Sequence, residues 1–187
     1  MDPSAEVNAP NLDAFRPYLR LLARLHWNER LNGKLDPDDL VQQVMLEAHR
    51  SWSQFRGTCD AERAGWLGQI LAHQLSHAIR FHAQALRDIG KEVRFEDLEA
   101  SSWRLERWLA AEQSSPSERA QRNERGIRLA AALEQLPEAQ REAIILRHLQ
   151  DWPVAAIARR LAKTTPAVAG LLQRGLKQLR LLLAETD

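Results

Sequence analysis

The side chains with the plainest chemistry are the basic groups near the C-terminal end. Between positions 141 and 180 stand Arg141, Arg147, Arg159, Arg160, Lys163, Arg174, Lys177 and Arg180. Only Glu142 and Asp151 oppose them, a local net charge of +6 in a chain whose total is +1. Guanidinium and ammonium groups gathered on one segment attract phosphate, and such a patch is the electrostatic footprint of nucleic-acid binding. Residues 92–124 run the other way, eight acidic side chains against five basic. A charge run alone more often marks a solvated helix face, so what matters is how these groups are held.

The stretch DWPVAAIARRLAKTTPAVAGLLQRGLKQLRLLL, residues 151–183, reads as two helices joined by a tight turn. Pro153 suits the first helical turn, and Val154, Ile157, Ala158 and Leu161 fall at the spacing of one buried stripe. Lys163 and Thr164 break the pattern. Thr165 is the predicted N-cap of the next helix, with Pro166 at its first position. Val168, Leu171, Leu172, Leu176 and Leu179 then resume the apolar face. A short helix, a tight turn and a longer basic helix make a helix-turn-helix, whose second helix can lie in the major groove.

The remaining composition narrows the class. A chain of 187 residues suits one large or two small domains, and 44% hydrophobic residues supply packed cores. Nearly every periodic segment has helical spacing, which predicts an all-α protein. The single cysteine, Cys59, leaves no internal disulfide framework and suits a reducing compartment. No apolar run reaches the roughly 20 residues of a membrane span. The polar, acidic start MDPSAEVNAPNLDAF is unlike a secretory signal, so a cytoplasmic protein without membrane insertion is expected. No Gly-rich phosphate loop, nucleophile elbow or paired-carboxylate motif is present. The expectation is therefore no enzymatic activity, no cofactor and no small-molecule substrate. His73 and His77 have the i, i+4 spacing of two zinc ligands, but no HExxH surrounds them and the cysteine is distant. They read as surface or DNA-facing groups, and no metal site is expected.

The predicted organisation is two small helical domains joined by a linker. After a tail at 1–11, the first domain spans 12–98. Its first helix lies near 12–28, marked by Leu12, Phe15, Leu19 and Leu22. Asp36 is the predicted N-cap of a second helix, with Pro37 at the first position and Asp38 and Asp39 at the positive end of its dipole. Gly57 permits a reversal, a third helix covers about Arg63–Phe81, and a shorter helix or loop continues to Leu98. Residues 99–116, Ser-rich and acidic, read as the linker. Ser115 and Glu118 stand at capping-box spacing before a second domain, 117–187. There, a helix to about Gln135, another from Pro137 to about Leu149, and the helix-turn-helix are expected.

The segments DPDDLVQQVMLEAHRSWSQFRG and LPEAQREAIILRHL, the latter leading into the helix-turn-helix, resemble bacterial RNA polymerase sigma factors. The resemblance is to the small two-domain extracytoplasmic-function (ECF) type and covers residues 12–98 and 117–183. It implies a subunit that binds core RNA polymerase, recognises two promoter DNA elements and assists melting, with an anti-sigma factor as a further partner. It places Asp39, Leu40, Gln42 and Gln43 on the polymerase-docking face. It assigns the loop FRGTCDAER to capture of a flipped base of the minus-ten element, with Arg56, Thr58 and Arg63 as contacts. Gln69, His73, Gln74, His77 and Arg80 would face the melted strand. Lys163, Thr164, Thr165, Ala167, Gln173, Arg174 and Lys177 would contact the minus-thirty-five element, where Arg can pair with guanine edges and Gln with adenine.

This sequence departs from the family at three places. Gln74 and His77 stand where many members carry Asn and Asp. Ala169-Gly170 replaces basic or hydroxyl residues, which shifts readout to fewer side chains or to DNA shape. Ala162 stands where glycine is common, and a left-handed conformation there would cost it roughly 1 kcal/mol. The competing reading is a stand-alone helix-turn-helix regulator binding operator DNA as a dimer. The DxxDLVQ element and the linker between lobes favour the sigma factor.

Overall fold

The computed structural model describes residues 11–26, 36–88 and 115–185. Among them every regular element is helical, so the expected all-α class is what the chain adopts. Contacts divide the chain into two units, Met1–Glu124 and Arg125–Asp187.

In the first unit a 3₁₀ turn, Leu12–Phe15, leads into α1 (Arg16–His26). Helix α2 (Pro37–Arg50) starts as the sequence predicts. Asp36 holds an extended backbone and its carboxylate accepts from the Asp38 N–H at 2.8 Å. After a 3₁₀ turn at Trp52–Gln54, α3 runs over Asp60–Asp88. It thus begins three residues before the expected Arg63 and continues past Phe81. Cys59 closes its first turn, its carbonyl accepting from the Arg63 N–H at 3.1 Å. No proline or glycine follows Phe81 before Gly90, so nothing stops the helix there. The three helices pack mutually around Leu19, Leu40, Val44, Leu67 and Leu75, each at most 1% exposed. The expected tail (1–11, all but Asn11), the 89–98 segment and nearly all of the linker lie outside the described residues.

Helix α4 (Pro116–Glu134) opens with the predicted capping box. The Ser115 N–H donates to the Glu118 carboxylate at 2.8 Å, and the Glu118 N–H donates back to the Ser115 hydroxyl at 3.3 Å. The division between units falls inside this helix. Asn123 belongs to the first unit, where its amide donates to the Ala61 carbonyl at 2.9 Å and its oxygen receives the Tyr18 hydroxyl at 3.4 Å. Burial pushes that hydroxyl from 10 up to about 12, outweighing the opposite pull of Arg122. The fold therefore holds the neutral phenol. Stability owed to Tyr18 is fully present below the unfolded value and is lost as pH climbs from about 10 towards 12. The full swing is about 2–3 kcal/mol at most. Urea unfolding at about pH 8 and pH 11 should show Tyr18→Phe losing about 1 kcal/mol less than the unmodified chain over that interval.

In the second unit, α5 (Glu138–Ile144) passes into a π turn at Ile145–Leu149. Helices α6 (Val154–Arg160) and α7 (Thr165–Ala184) follow. Helix α7 lies close against α5 because position 175 is glycine. A Cβ there would stand 2.8 Å from the Ile144 Cδ1 and 3.2 Å from the Gln140 Cβ. The core gathers Ala143, Leu146, Ile157, Ala158 and Val168, with Trp152, Val154, Leu161, Leu171 and Leu172 packed around it. Among the described residues, no helix is long and apolar enough to cross a membrane.

Candidate nucleic-acid interface

The bihelical motif at 154–184 has its predicted form, with its caps shifted by one residue. Pro153 is the N-cap position of α6 and lies outside the first turn. For α7 the cap is Thr164, which keeps an extended backbone while its hydroxyl accepts from the Ala167 N–H at 3.3 Å. Thr165 is already helical, a correction to its predicted role. Between the helices Ala162 has φ of 50°, the left-handed conformation expected at that position. Its N–H reaches the Arg159 carbonyl at 3.2 Å and the Lys163 N–H reaches Ala158 at 2.9 Å. This is a Schellman closure, normally made by glycine. Ala162→Gly relieves the strain at some cost in unfolded-chain entropy, a net gain of about 0.5–1 kcal/mol. Thermal melting should show the second unit's transition rising by a few degrees.

On α7 the buried residues Val168, Gly175 and Leu179 occupy one side, at 100° per residue. Gln173, Arg174 and Lys177 are exposed on the other, as are Lys163, Thr164, Thr165 and Ala167 at its start. All seven residues assigned to the minus-thirty-five contact therefore lie at the solvent surface. Arg174 folds back towards Gly170, where a Cβ would meet its Nη1 at 3.2 Å. The absence of a side chain at Gly170 leaves room for the guanidinium of the next turn. Upstream, the π turn and Asp151, with φ of 58°, redirect the chain before α6. Arg147 ties this corner by donating to the Trp152 carbonyl at 3.2 Å.

In the first unit, the loop 55–59 is held from both ends. Trp52, Phe55 and Trp66 pack as three half-buried rings with centroids 5.1, 5.8 and 5.2 Å apart. The Phe55 ring closes over Gly57, where a Cβ would run into it and stand 2.9 Å from the Glu62 Cβ. On the other side, one Glu62 oxygen accepts from the Thr58 N–H at 2.6 Å, the Cys59 N–H at 3.3 Å and the Thr58 hydroxyl at 3.3 Å. The backbone bonds from Thr58 and then Cys59 hold the Glu62 carboxyl below the usual carboxylate range. Arg56 is exposed and donates to the Ser53 carbonyl at 3.0 Å, while Arg63 pairs with Asp60. Along α3, Gln69, His73, His77 and Arg80 form one exposed strip, with Gln74 half-buried at its edge. Phe81, 64% exposed, ends that strip.

On α2 the exposed polar face carries Asp39, Gln42 and Gln43. Leu40 is a correction: it is 0% exposed, and its 100° offset from Asp39 turns it into the core. The apolar residue on the polar face is Leu46, 56% exposed and between Gln43 and Arg50 on the same side. Its position outside the 40, 41, 44, 45, 48 stripe was the available signal.

Residues 127–179, from within α4 through most of α7, match the family described as Sigma-70, region 4. This stretch is similar to sigma-factor region 4. Over 175 residues it is 30% identical to the ECF RNA polymerase sigma factor SigG of Mycobacterium tuberculosis, found in two strains. That alignment covers 88% of this chain and 46% of the relative, so the chain spans about half the length of the curated relatives it matches. The sigma factor RpoE of Bartonella quintana, solved in complex with the anti-sigma factor NepR, aligns over 92% of this chain and 94% of that one. It is 19% identical with a TM-score of 0.36, too low to establish a common arrangement.

Proposed function

We propose that this chain is an initiation subunit that directs core RNA polymerase to chosen promoters and helps open the DNA. The observation that carries this reading is the coincidence of the region 4 match, residues 127–179, with a helix-turn-helix whose outer face keeps Gln173, Arg174 and Lys177 free of the core. In this reading α7 lies in the major groove of the minus-thirty-five element. Arg174 and Gln173 read base edges there, while Lys163, Lys177 and the Thr164 end of the helix hold phosphates. Loop 55–59 captures a base flipped out of the minus-ten element, and the strip from Gln69 to Phe81 follows the separated strand. The α2 face of Asp39, Gln42, Gln43 and Leu46 docks on the polymerase, with an apolar contact amid polar ones. The chain performs no catalysis itself. It works in the cytoplasm with the polymerase, under control of an anti-sigma factor of the kind the family employs.

Titrating fluorescently labelled chain with bacterial core polymerase tests the docking assignment. Saturable binding is expected, weakened at least about 10-fold by Asp39→Ala with Gln43→Ala, the loss of about 1.4 kcal/mol that two removed interface contacts produce. Absence of binding, with tight binding of the isolated chain to duplex DNA, would favour the stand-alone regulator instead.

A further inference from the structure

The grip of Glu62 on loop 55–59 carries a consequence for base choice. A threonine hydroxyl has one proton to donate and two lone pairs to accept with. At Thr58 the proton faces the Glu62 carboxylate at 3.3 Å, and the same oxygen of Glu62 holds the backbone N–H groups of Thr58 and Cys59. An ionised carboxylate only accepts, so it cannot exchange roles with the hydroxyl. The depressed titration of Glu62 keeps it ionised at neutral pH. Thr58 is exposed, and what it turns outward is oxygen lone pairs. The loop has little freedom to reorient: Gly57 sits between the Phe55 ring and the Glu62 side chain, and Phe55 is packed against Trp52 and Trp66.

We infer that Glu62 fixes the Thr58 hydroxyl as a hydrogen-bond acceptor, so that the base captured by this loop is one bearing an exocyclic amino group. Adenine, cytosine and guanine carry such a donor, whereas thymine flanks its single ring N–H with two carbonyl acceptors. Glu62 is here a positioning residue that acts through Thr58. The inference rests on the sigma-factor reading of the loop.

The test uses the chain assembled with bacterial core polymerase on a promoter it initiates from. Each position of the melted element is replaced by each of the four bases, and competitor-resistant open complexes are counted. At one position thymine should reduce open complexes roughly 5-fold against the amino-bearing bases, the worth of one hydrogen bond of about 1 kcal/mol. Thr58→Ser should keep that discrimination and Thr58→Val abolish it. Glu62→Ala should reduce it to under about 2-fold, because with no acceptor at 62 the Thr58 hydroxyl is free to turn its proton outward and donate as well as accept. Thermal melting of each variant separates a folding defect from a change in choice, and the Thr58 pair decides the matter even if Glu62→Ala is unstable. Thymine tolerated at every position, or discrimination unchanged in Thr58→Val or in a folded Glu62→Ala, overturns the inference while leaving the sigma reading intact. No promoter-specific open complex with the unmodified chain overturns both.

Discussion

Ile157→Ala is expected to unfold much of the second unit while the first unit melts as before. Ile157 is 0% exposed and lies at the centre of the cluster formed by Ala143, Leu146, Ala158 and Val168. Removing its outer carbons deletes buried contacts and leaves a cavity that α5, α6 and α7 cannot all close upon. The cost for such a change is about 2–5 kcal/mol, against about 0.5–1.5 kcal/mol for Ile157→Val. A unit of this size commonly has about 5 kcal/mol to lose, so the alanine variant should populate the unfolded state at ordinary temperature. Urea unfolding followed by circular dichroism reads the result as an early transition of reduced amplitude. The valine variant should keep a single later one. Equal midpoints for the two variants would contradict the placement of Ile157.

The second large effect lies on the opposite side of the same helix pair. Arg174 and Lys177 are exposed on α7 and touch none of its core, so replacing them should leave melting unchanged. Their expected effect is on promoter binding by the assembled polymerase. Arg174→Ala should cost about 1–3 kcal/mol and relax the preference for guanine at one position of the upstream element. Lys177→Ala should weaken binding evenly across sequences and lower the slope of log affinity against log salt by about 1. The contrast is diagnostic, because a non-specific basic patch would give the second behaviour for both residues. Fluorescence anisotropy on a set of promoter variants at several salt concentrations checks it.

The bihelical motif was readable because two apolar stripes at helical spacing flank a stretch that cannot continue either. The cap moved by one residue because Thr164 and Thr165 both suit it chemically. The extended backbone at Thr164, φ −77° and ψ 155°, settles which serves. The start of α3 was missed because the residue before it is Cys59, not a usual cap, although Glu62 stands at capping-box spacing from it. The π turn left no trace in the sequence. Ile144, Ile145 and Leu146 are all buried, and a continuous apolar run carries no register from which an extra residue shows. On α2, the family resemblance placed Leu40 with Asp39 on the docking face, whereas helical geometry sends it inward and brings Leu46 to the surface. The basic face of α7 needed no correction of this kind, since exposure there follows directly from the stripe that Val168, Leu171, Leu172, Leu176 and Leu179 define. What the stripe could not tell was that Gly170 makes room for Arg174.

The claim that joins these parts is that the chain gives core polymerase a choice of start site, and run-off transcription tests it most directly. Purified chain, bacterial core polymerase and a library of genomic promoter fragments are combined, with each protein also tested alone. Transcripts of defined length that require both proteins, and are lost with Asp39→Ala plus Gln43→Ala, are the predicted result. Fragments occupied by the chain alone, with polymerase start sites unchanged by its presence, would contradict it.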